Sequence, residues 1–111
     1  DDGSIEIIDD YVFSYAYDLI EITIPDSVTH IGNAAFKECI NLEKVSLPKD
    51  LKHIGDYAFY ATAVSELSFS DKLEYIGDSA FSRCNNITEI FLPDTLTYGQ
   101  LLTVSQEENN D

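Results

Sequence analysis

The chain has 111 residues, 44% of them hydrophobic, which suits a single globular domain with one continuous core. Its 21 acidic residues outnumber 6 basic ones, and a formal net charge of −15 would repel phosphate backbones and anionic membranes. We therefore expect no nucleic-acid partner. No stretch of the sequence approaches the ~20 consecutive apolar residues of a membrane span, so membrane insertion is not expected either.

A six-residue phrase repeats along the chain. The phrase Ile-Gly-Asn-Ala-Ala-Phe at 31–36 recurs at 54–59 and 76–81 and, in degraded form, at 8–13. A fixed period of 22–23 residues is typical of a solenoid, in which each unit is one coil that buries its apolar face only against its neighbours. We assign residues 1–98 to an array of about four such units, truncated at its start.

Each unit contains a strand in which apolar and small polar residues alternate, so that one face is predicted to be buried and the other wet. These segments are Ile22–Ile24, Val45–Leu47, Leu67–Phe69 and Ile90–Leu92. A second short apolar segment follows in each unit and ends at the Ile of the phrase. The third unit is one residue short, and we place the deletion in the loop 60–63, where it costs little packing.

The repeated phrase itself predicts three features. The glycines at 32, 55 and 77 permit a backbone conformation that a side chain would strain. The residue after each glycine is acidic or an amide and is expected to cap a short helical turn (Asp10, Asn33, Asp56 and Asp78). The aromatic residue that ends the phrase should enter the core, so that four rings form a buried stack (Phe13, Phe36, Phe59 and Phe81).

Two columns of potential metal ligands have structural explanations. Cys39 and Cys84 occupy one repeat position two coils apart, roughly 10 Å, which is beyond the ~7 Å limit for a disulfide. We expect free thiols in a column of small, half-buried side chains. His30 and His53 share a register, with Tyr75 next, so the imidazoles should lie ~5 Å apart. Because no third ligand is near, a polar ladder is favoured over a metal site, and no cofactor is expected.

The unit from Ile24 to Pro48 reads Ile-Pro-x-x-Val-x-x-Ile-Gly-x-x-Ala-Phe-x-x-Cys-x-x-Leu-x-x-Val-x-Leu-Pro. It resembles the BspA-like (Treponema-type) leucine-rich repeat, and the pattern extends over roughly residues 5–96. Asp9 for Gly, Thr62 for Cys and Ser70 for Pro depart from it. The resemblance implies a leucine-rich-repeat solenoid of the α/β type, a right-handed superhelix that is mostly β with short helical turns and has a parallel sheet on its concave side.

The same resemblance implies a secreted or cell-surface protein, of bacteria or some protists, that acts in adhesion and partner binding. The family has no shared catalytic residues. No Ser/His/Asp, Cys/His or paired-carboxylate arrangement stands out from the repeat positions, so the chain is not expected to be an enzyme. Beyond the array, we expect residues 99–104 to form a capping segment and residues 105–111 to be a disordered acidic tail.

If the alternating strands line the concave face, their outward positions form two columns. The candidate binding residues are Glu21, Lys44, Glu66 and Glu89 in the first column and Thr23, Ser46, Ser68 and Phe91 in the second. Phe91 is the one aromatic residue in its column. It is either covered by the apolar residues of the C-terminal segment (Leu101, Leu102 and Val104) or exposed as a contact for a partner.

The first hypothesis for function is a non-catalytic extracellular module that binds a protein partner through this face. The alternative is a carbohydrate-binding or spacer module attached to a larger secreted enzyme or cell-wall assembly. Sugar binding would require at least two coplanar, solvent-facing rings from one set of aromatic residues. That set is Tyr11, Tyr15, Tyr17, Tyr57, Tyr60, Tyr75 and Phe91.

Overall fold

Residues 6–96, which the computed structural model describes, form a stack of coils whose strands all pair in parallel. The expected capping segment 99–104 and acidic tail 105–111 lie outside the described residues. The strands are β1 (Glu6–Ile8), β2 (Glu21–Thr23), β3 (Val28–Ile31), β4 (Lys44–Ser46), β5 (His53–Ile54) and β6 (Tyr75–Ile76).

We number the coils one to four by the repeated phrase that each contains, at 8–13, 31–36, 54–59 and 76–81. Equivalent residues of successive coils pair with one another. One sheet has the order β1-β3-β5-β6, and in it Ile31 pairs with Ile8 on one side and with Ile54 on the other. The second sheet consists of β2 and β4, with Ile22 opposite Val45. Both sheets contribute side chains to one core. Each coil therefore buries its apolar side chains against its neighbours, as the repeat period predicts.

Two of the four expected alternating strands are absent. Residues 22–23 and 45–46 lie in paired strands, but residues 67–69 and 90–92 are assigned to no strand. The segment at 67–69 does not continue the ladder of β4. A segment forms a parallel strand only where its backbone hydrogen-bonds to a neighbouring strand. Because residues 67–69 form no strand, the segment at 90–92 has no strand beside it with which to pair.

The four phenylalanines form the stack that the sequence predicts. Ring centroids are 5.2 Å apart for Phe13 and Phe36, 5.1 Å for Phe36 and Phe59, and 5.5 Å for Phe59 and Phe81, and the rings lie within 10° of parallel. Phe36 and Phe59 are fully buried, whereas Phe13 at the end of the stack is half-buried. The predicted stack of four rings is confirmed, and burial is confirmed for Phe36, Phe59 and Phe81 but not for Phe13.

The expected helical turns are wrong, since residues 6–96 contain no helix. In the phrase, alternate N–H groups donate to the next coil: Phe13 N–H to Ala35 O and Phe36 N–H to Ala58 O, each 2.8 Å. The N–H groups between them close tight turns within the coil, as Lys37 N–H does on Ala34 O at 3.2 Å. Two residues per coil adopt left-handed conformations, at φ 57° for Ala34 and 63° for Glu38, which keeps the segment from winding into a helix.

The acidic and amide residues after each glycine form a ladder between coils. Asn33 N–H donates to Asp10 Oδ1 at 2.7 Å, Asp56 N–H donates to Asn33 Oδ1 at 2.9 Å, and Asp78 N–H donates to Asp56 Oδ1 at 2.9 Å. The capping prediction is therefore wrong for Asp10, Asn33 and Asp56, because each of these side chains accepts from the equivalent residue of the next coil.

This ladder also corrects the role of the glycines. None of the three glycines adopts a left-handed φ. A Cβ added to Gly55 would lie 2.5 Å from Asn33 Oδ1 and 2.7 Å from Asn33 N, closer than any real contact. Glycine is required because the side chain of the preceding coil passes over its backbone.

The two cysteines are free, as predicted, and both are buried rather than half-buried. The Cys39 thiol donates to Phe13 O and the Cys84 thiol donates to Phe59 O, each at 3.0 Å. Burial raises the pKa of the Cys39 thiol, although its backbone contact with Ala16 opposes the shift. The two thiols therefore connect the second coil to the first and the fourth coil to the third.

Candidate interaction surface

The first half of the candidate surface is built as the alternation predicts. Glu21 pairs with Lys44, and Thr23 pairs with Ser46, in the parallel ladder of β2 and β4. All four side chains are exposed, whereas the residues between them turn inward and pack against the core. We call the outward side of these two strands the β2–β4 face.

The second half of the surface is less regular. Glu66, Ser68, Glu89 and Phe91 are exposed, but their segments form no strand. A cleft of about 380 Å³, called here the β4 cleft, is lined by β4 and by Glu66. Ser68, Glu89 and Phe91 are not part of its lining. Phe91 is 75% exposed, and the segment expected to cover it lies outside the described residues.

Strand β4 has an open edge at this cleft. Lys44 N–H donates to Ile20 O at 3.3 Å, and Ser46 O accepts from Ile24 N–H at 3.0 Å, so both residues turn their backbone groups toward the first coil. Because neighbouring residues of a strand bond to opposite sides, the N–H and C=O of Val45 point away from β2. Between residues 6 and 96, no strand pairs with that edge, and Val45 lines the β4 cleft.

The charge of the β4 cleft is mixed. Its lining includes the carboxylates of Glu43 and Glu66, the ammonium of Lys44 and the hydroxyls of Ser46 and Ser65. These groups can donate and accept hydrogen bonds to a polar or charged partner. No arrangement of a nucleophile with a base is formed by them.

A polar ladder lies on the other sheet. The His30 and His53 rings stack at 5.3 Å, and the His53 and Tyr75 rings at 4.6 Å, which confirms the predicted register. Burial lowers the pKa of His53, and the adjacent His30 lowers it further, whereas Asp56 has the opposite effect. In the part of the chain that the structure describes, no three His, Cys, Asp or Glu side chains form a group able to hold a metal ion.

Two pairs of tyrosines pack edge to face. The rings of Tyr15 and Tyr17 meet at 77°, and those of Tyr57 and Tyr60 meet at 61°. Tyr75 is stacked on His53 instead. Neither tyrosine pair presents the coplanar rings that a flat sugar platform would need.

A second cleft, which sequence reasoning missed, lies at the short third coil. It has a volume of about 550 Å³, and its lining includes Glu38, Ile40, Tyr60, Ala61, Ala63 and Arg83. We call it the third-coil cleft. The signal for it was present in the sequence, since a missing residue and two alanines coincide at one place in the array.

Comparison with known proteins identifies the array. A family model described as the BspA type leucine-rich repeat region matches residues 6–103, in 6 copies. The chain belongs to the BspA-type leucine-rich repeat family. This confirms both the resemblance and the leucine-rich-repeat solenoid class. The division into about four units stays a prediction, as do the curvature and handedness of the array.

Solved structures of leucine-rich repeat proteins resemble this chain. The Treponema pallidum protein TpLRR is 29% identical with a TM-score of 0.78, and the match covers 87% of this chain and 46% of TpLRR. A leucine-rich cell surface protein of Faecalibacterium prausnitzii is 33% identical with a TM-score of 0.72, covering 74% and 22%. The pneumococcal vaccine antigen PcpA is 26% identical with a TM-score of 0.64, covering 90% and 24%.

This leucine-rich repeat chain thus spans less than half the length of each of these structures. A search of curated proteins found no match. Within residues 6–96, no helix is present that could cross a membrane.

Proposed function

We propose that this leucine-rich repeat chain is a non-catalytic module of a secreted or cell-surface protein, and that it binds a protein partner through the β2–β4 face. The open edge of β4 above the β4 cleft is the observation that carries the proposal. An extended segment of a partner can donate to Val45 C=O and accept from Val45 N–H while its side chains meet Lys44 and Glu66.

The exposed side chains around this edge extend the proposed surface. Glu21 and Thr23 lie beside β4 on one side, and Ser68, Glu89 and Phe91 belong to the coils on the other. An aromatic side chain that is 75% exposed is a typical anchor of a protein interface. The strong negative charge of the whole chain favours a partner with a basic contact surface.

The likeness to surface proteins supports the proposed location. The Faecalibacterium prausnitzii relative is described as a cell surface protein, and PcpA is described as a vaccine antigen. We extend a surface location, and an adhesion-like role, to this chain as part of the proposal.

The test uses an array of purified extracellular proteins probed with the full chain. Binding to at least one protein is expected, and the triple variant Glu66→Lys, Glu89→Lys, Phe91→Ala should weaken it by about tenfold or more because it removes the anchor and reverses two charges. Glu74→Lys is the matched control, since it reverses an exposed charge just before β6 on the other sheet. Equal affinity of the triple variant and the wild type would exclude the β2–β4 face, and binding to none of the proteins would contradict the protein-partner proposal.

A further inference from the structure

The residue missing from the third coil can be identified from side-chain hydrogen bonds. Asn41 Nδ2 donates to Tyr17 O at 2.7 Å, and Asn86 Nδ2 donates to Ala63 O at 3.1 Å. Each asparagine lies five positions after the phenylalanine of its coil, and each acceptor lies four positions after the phenylalanine of the preceding coil. The Ala63 carbonyl therefore holds the fourth position, and the third coil lacks the asparagine position; Ala63 N–H donates instead to Leu42 O at 3.0 Å.

The deletion leaves one backbone carbonyl without its donor. Ile40 is the acceptor position of the second coil, and the third coil has no asparagine to donate to it. Among the hydrogen bonds of the described residues, none ends on Ile40 O. Ile40 lines the third-coil cleft, so the carbonyl that lacks an asparagine donor belongs to a residue of that cleft.

The cleft exists because the third coil has small side chains between larger neighbours. Glu38, Ala61 and Arg83 occupy the same position of three successive coils, and all have φ near +60°. Successive coils are ~4.8 Å apart, so the backbones of Glu38 and Arg83 lie roughly 10 Å apart, with Ala61 between them. The Glu38 carboxylate therefore belongs to one side of the cleft and the Arg83 guanidinium to the other. The cleft has a volume of about 550 Å³ and is open to solvent.

The lining combines groups that recognise a polar ring. The Glu38 carboxylate and the Ile40 carbonyl are able to accept hydrogen bonds from a ligand, whereas the Arg83 guanidinium and the Asn85 amide are able to donate them. The Tyr60 ring and the Ile40 side chain add apolar surface. Tyr60 is held in place by the Tyr57 ring at 5.4 Å and by the Lys37 ammonium at 5.8 Å, so the wall is preformed.

We propose that the third-coil cleft binds an N-acetylated hexosamine unit of a glycan. The acetamido N–H of the sugar donates to Ile40 O, in place of the deleted asparagine amide. The acetyl carbonyl and the ring hydroxyls bond to Arg83, Asn85 and Glu38, and the methyl group contacts Tyr60. Such a sugar is neutral, so the net charge of −15 does not oppose its approach.

The test is titration of the ¹⁵N-labelled chain with chitotriose, N-acetylglucosamine and glucose, followed by NMR. The two N-acetylated ligands should shift the amide signals of Ala61, Ala63 and Asn85, and glucose should bind about tenfold more weakly because it lacks the acetamido hydrogen bond. Equal binding of glucose, or the absence of any shift with chitotriose, would overturn the proposal. Equal binding of acetyl-glycinamide would also overturn it, because the cleft would then recognise a peptide amide.

Two variants connect the binding to the deletion. Insertion of one asparagine between Ala63 and Val64 restores the 23-residue period, so it should supply the donor to Ile40 O, fill the cleft and abolish sugar binding without lowering the melting temperature. Arg83→Ala should weaken binding while leaving the fold intact, because Arg83 is exposed. Arg83 lines the third-coil cleft and not the β4 cleft, so its effect is separable from loss of the protein partner. Unchanged sugar affinity in either variant would contradict the assignment.

Discussion

Truncation of the ring at the centre of the aromatic stack should cost more stability than any surface change. Phe59 is fully buried, and its centroid lies 5.1 Å from that of Phe36 and 5.5 Å from that of Phe81. Removing a buried ring costs about 3–5 kcal/mol in lost burial and cavity formation, and the loss of two stacked pairs places Phe59 in the upper part of that range. We therefore expect Phe59→Ala to lower the free energy of unfolding by about 4–5 kcal/mol, a large part of the ~5–15 kcal/mol of a typical domain.

Urea unfolding followed by far-UV circular dichroism measures this loss, with tyrosine fluorescence as the second probe because the chain has no Trp. Phe13→Ala, at the half-buried end of the stack, should cost about 2 kcal/mol. Phe91→Ala is the matched control, since the same substitution on a ring that is 75% exposed should change stability by less than about 0.5 kcal/mol. If Phe59→Ala costs no more than Phe91→Ala, the stack does not hold the coils together.

Three further predictions each concern one set of equivalent positions in the stacked coils. Gly55→Ala should destabilise the chain by about 1–3 kcal/mol in the same unfolding assay, because its Cβ meets Asn33, whereas Asp9→Ala at the equivalent position of the first coil should have little effect. The lowered pKa of His53 means that the unfolded chain takes up a proton more readily, so stability should fall as the pH drops below about 6.5, and His53→Phe should flatten that profile. Cys39 should react with iodoacetamide far more slowly in buffer than in urea, and equal rates would show that the thiol is not buried.

The features predicted correctly are those set by the repeat period alone. The Phe stack, the free thiols and the His30–His53 register follow once equivalent side chains are placed above one another at the spacing of paired strands. None of them depends on the backbone conformation inside a coil. For this reason the fold class could be predicted from sequence spacing.

The predictions that were wrong concern residues whose roles depend on contacts between coils. The sequence of a single repeat unit does not show those contacts. Within one unit, Gly55 followed by Asp56 suggests a flexible turn and a helix cap. In the stack, Asp56 accepts a hydrogen bond from Asp78, and Gly55 makes room for Asn33. Both roles belong to the neighbouring coil, so local propensity could not reveal them.

The candidate surface was predicted in part. The alternation of apolar and polar residues correctly predicted outward-facing side chains at Glu21, Thr23, Lys44 and Ser46. It succeeded because equivalent residues of β2 and β4 lie opposite one another in the parallel ladder. The same rule extended the sheet to the third and fourth coils, where residues 67–69 and 90–92 form no strand. The missing residue, which was predicted to cost little packing, lies in a loop that borders the third-coil cleft.

The most direct test of the account is a set of ring-to-ring nuclear Overhauser contacts in the chain labelled at phenylalanine. In-register stacking predicts contacts between Phe13 and Phe36, Phe36 and Phe59, and Phe59 and Phe81, whose ring centroids lie 5.1–5.5 Å apart. Contacts that skip a coil, or no contacts among these rings, would contradict the stacking from which the two clefts and both proposed sites are derived.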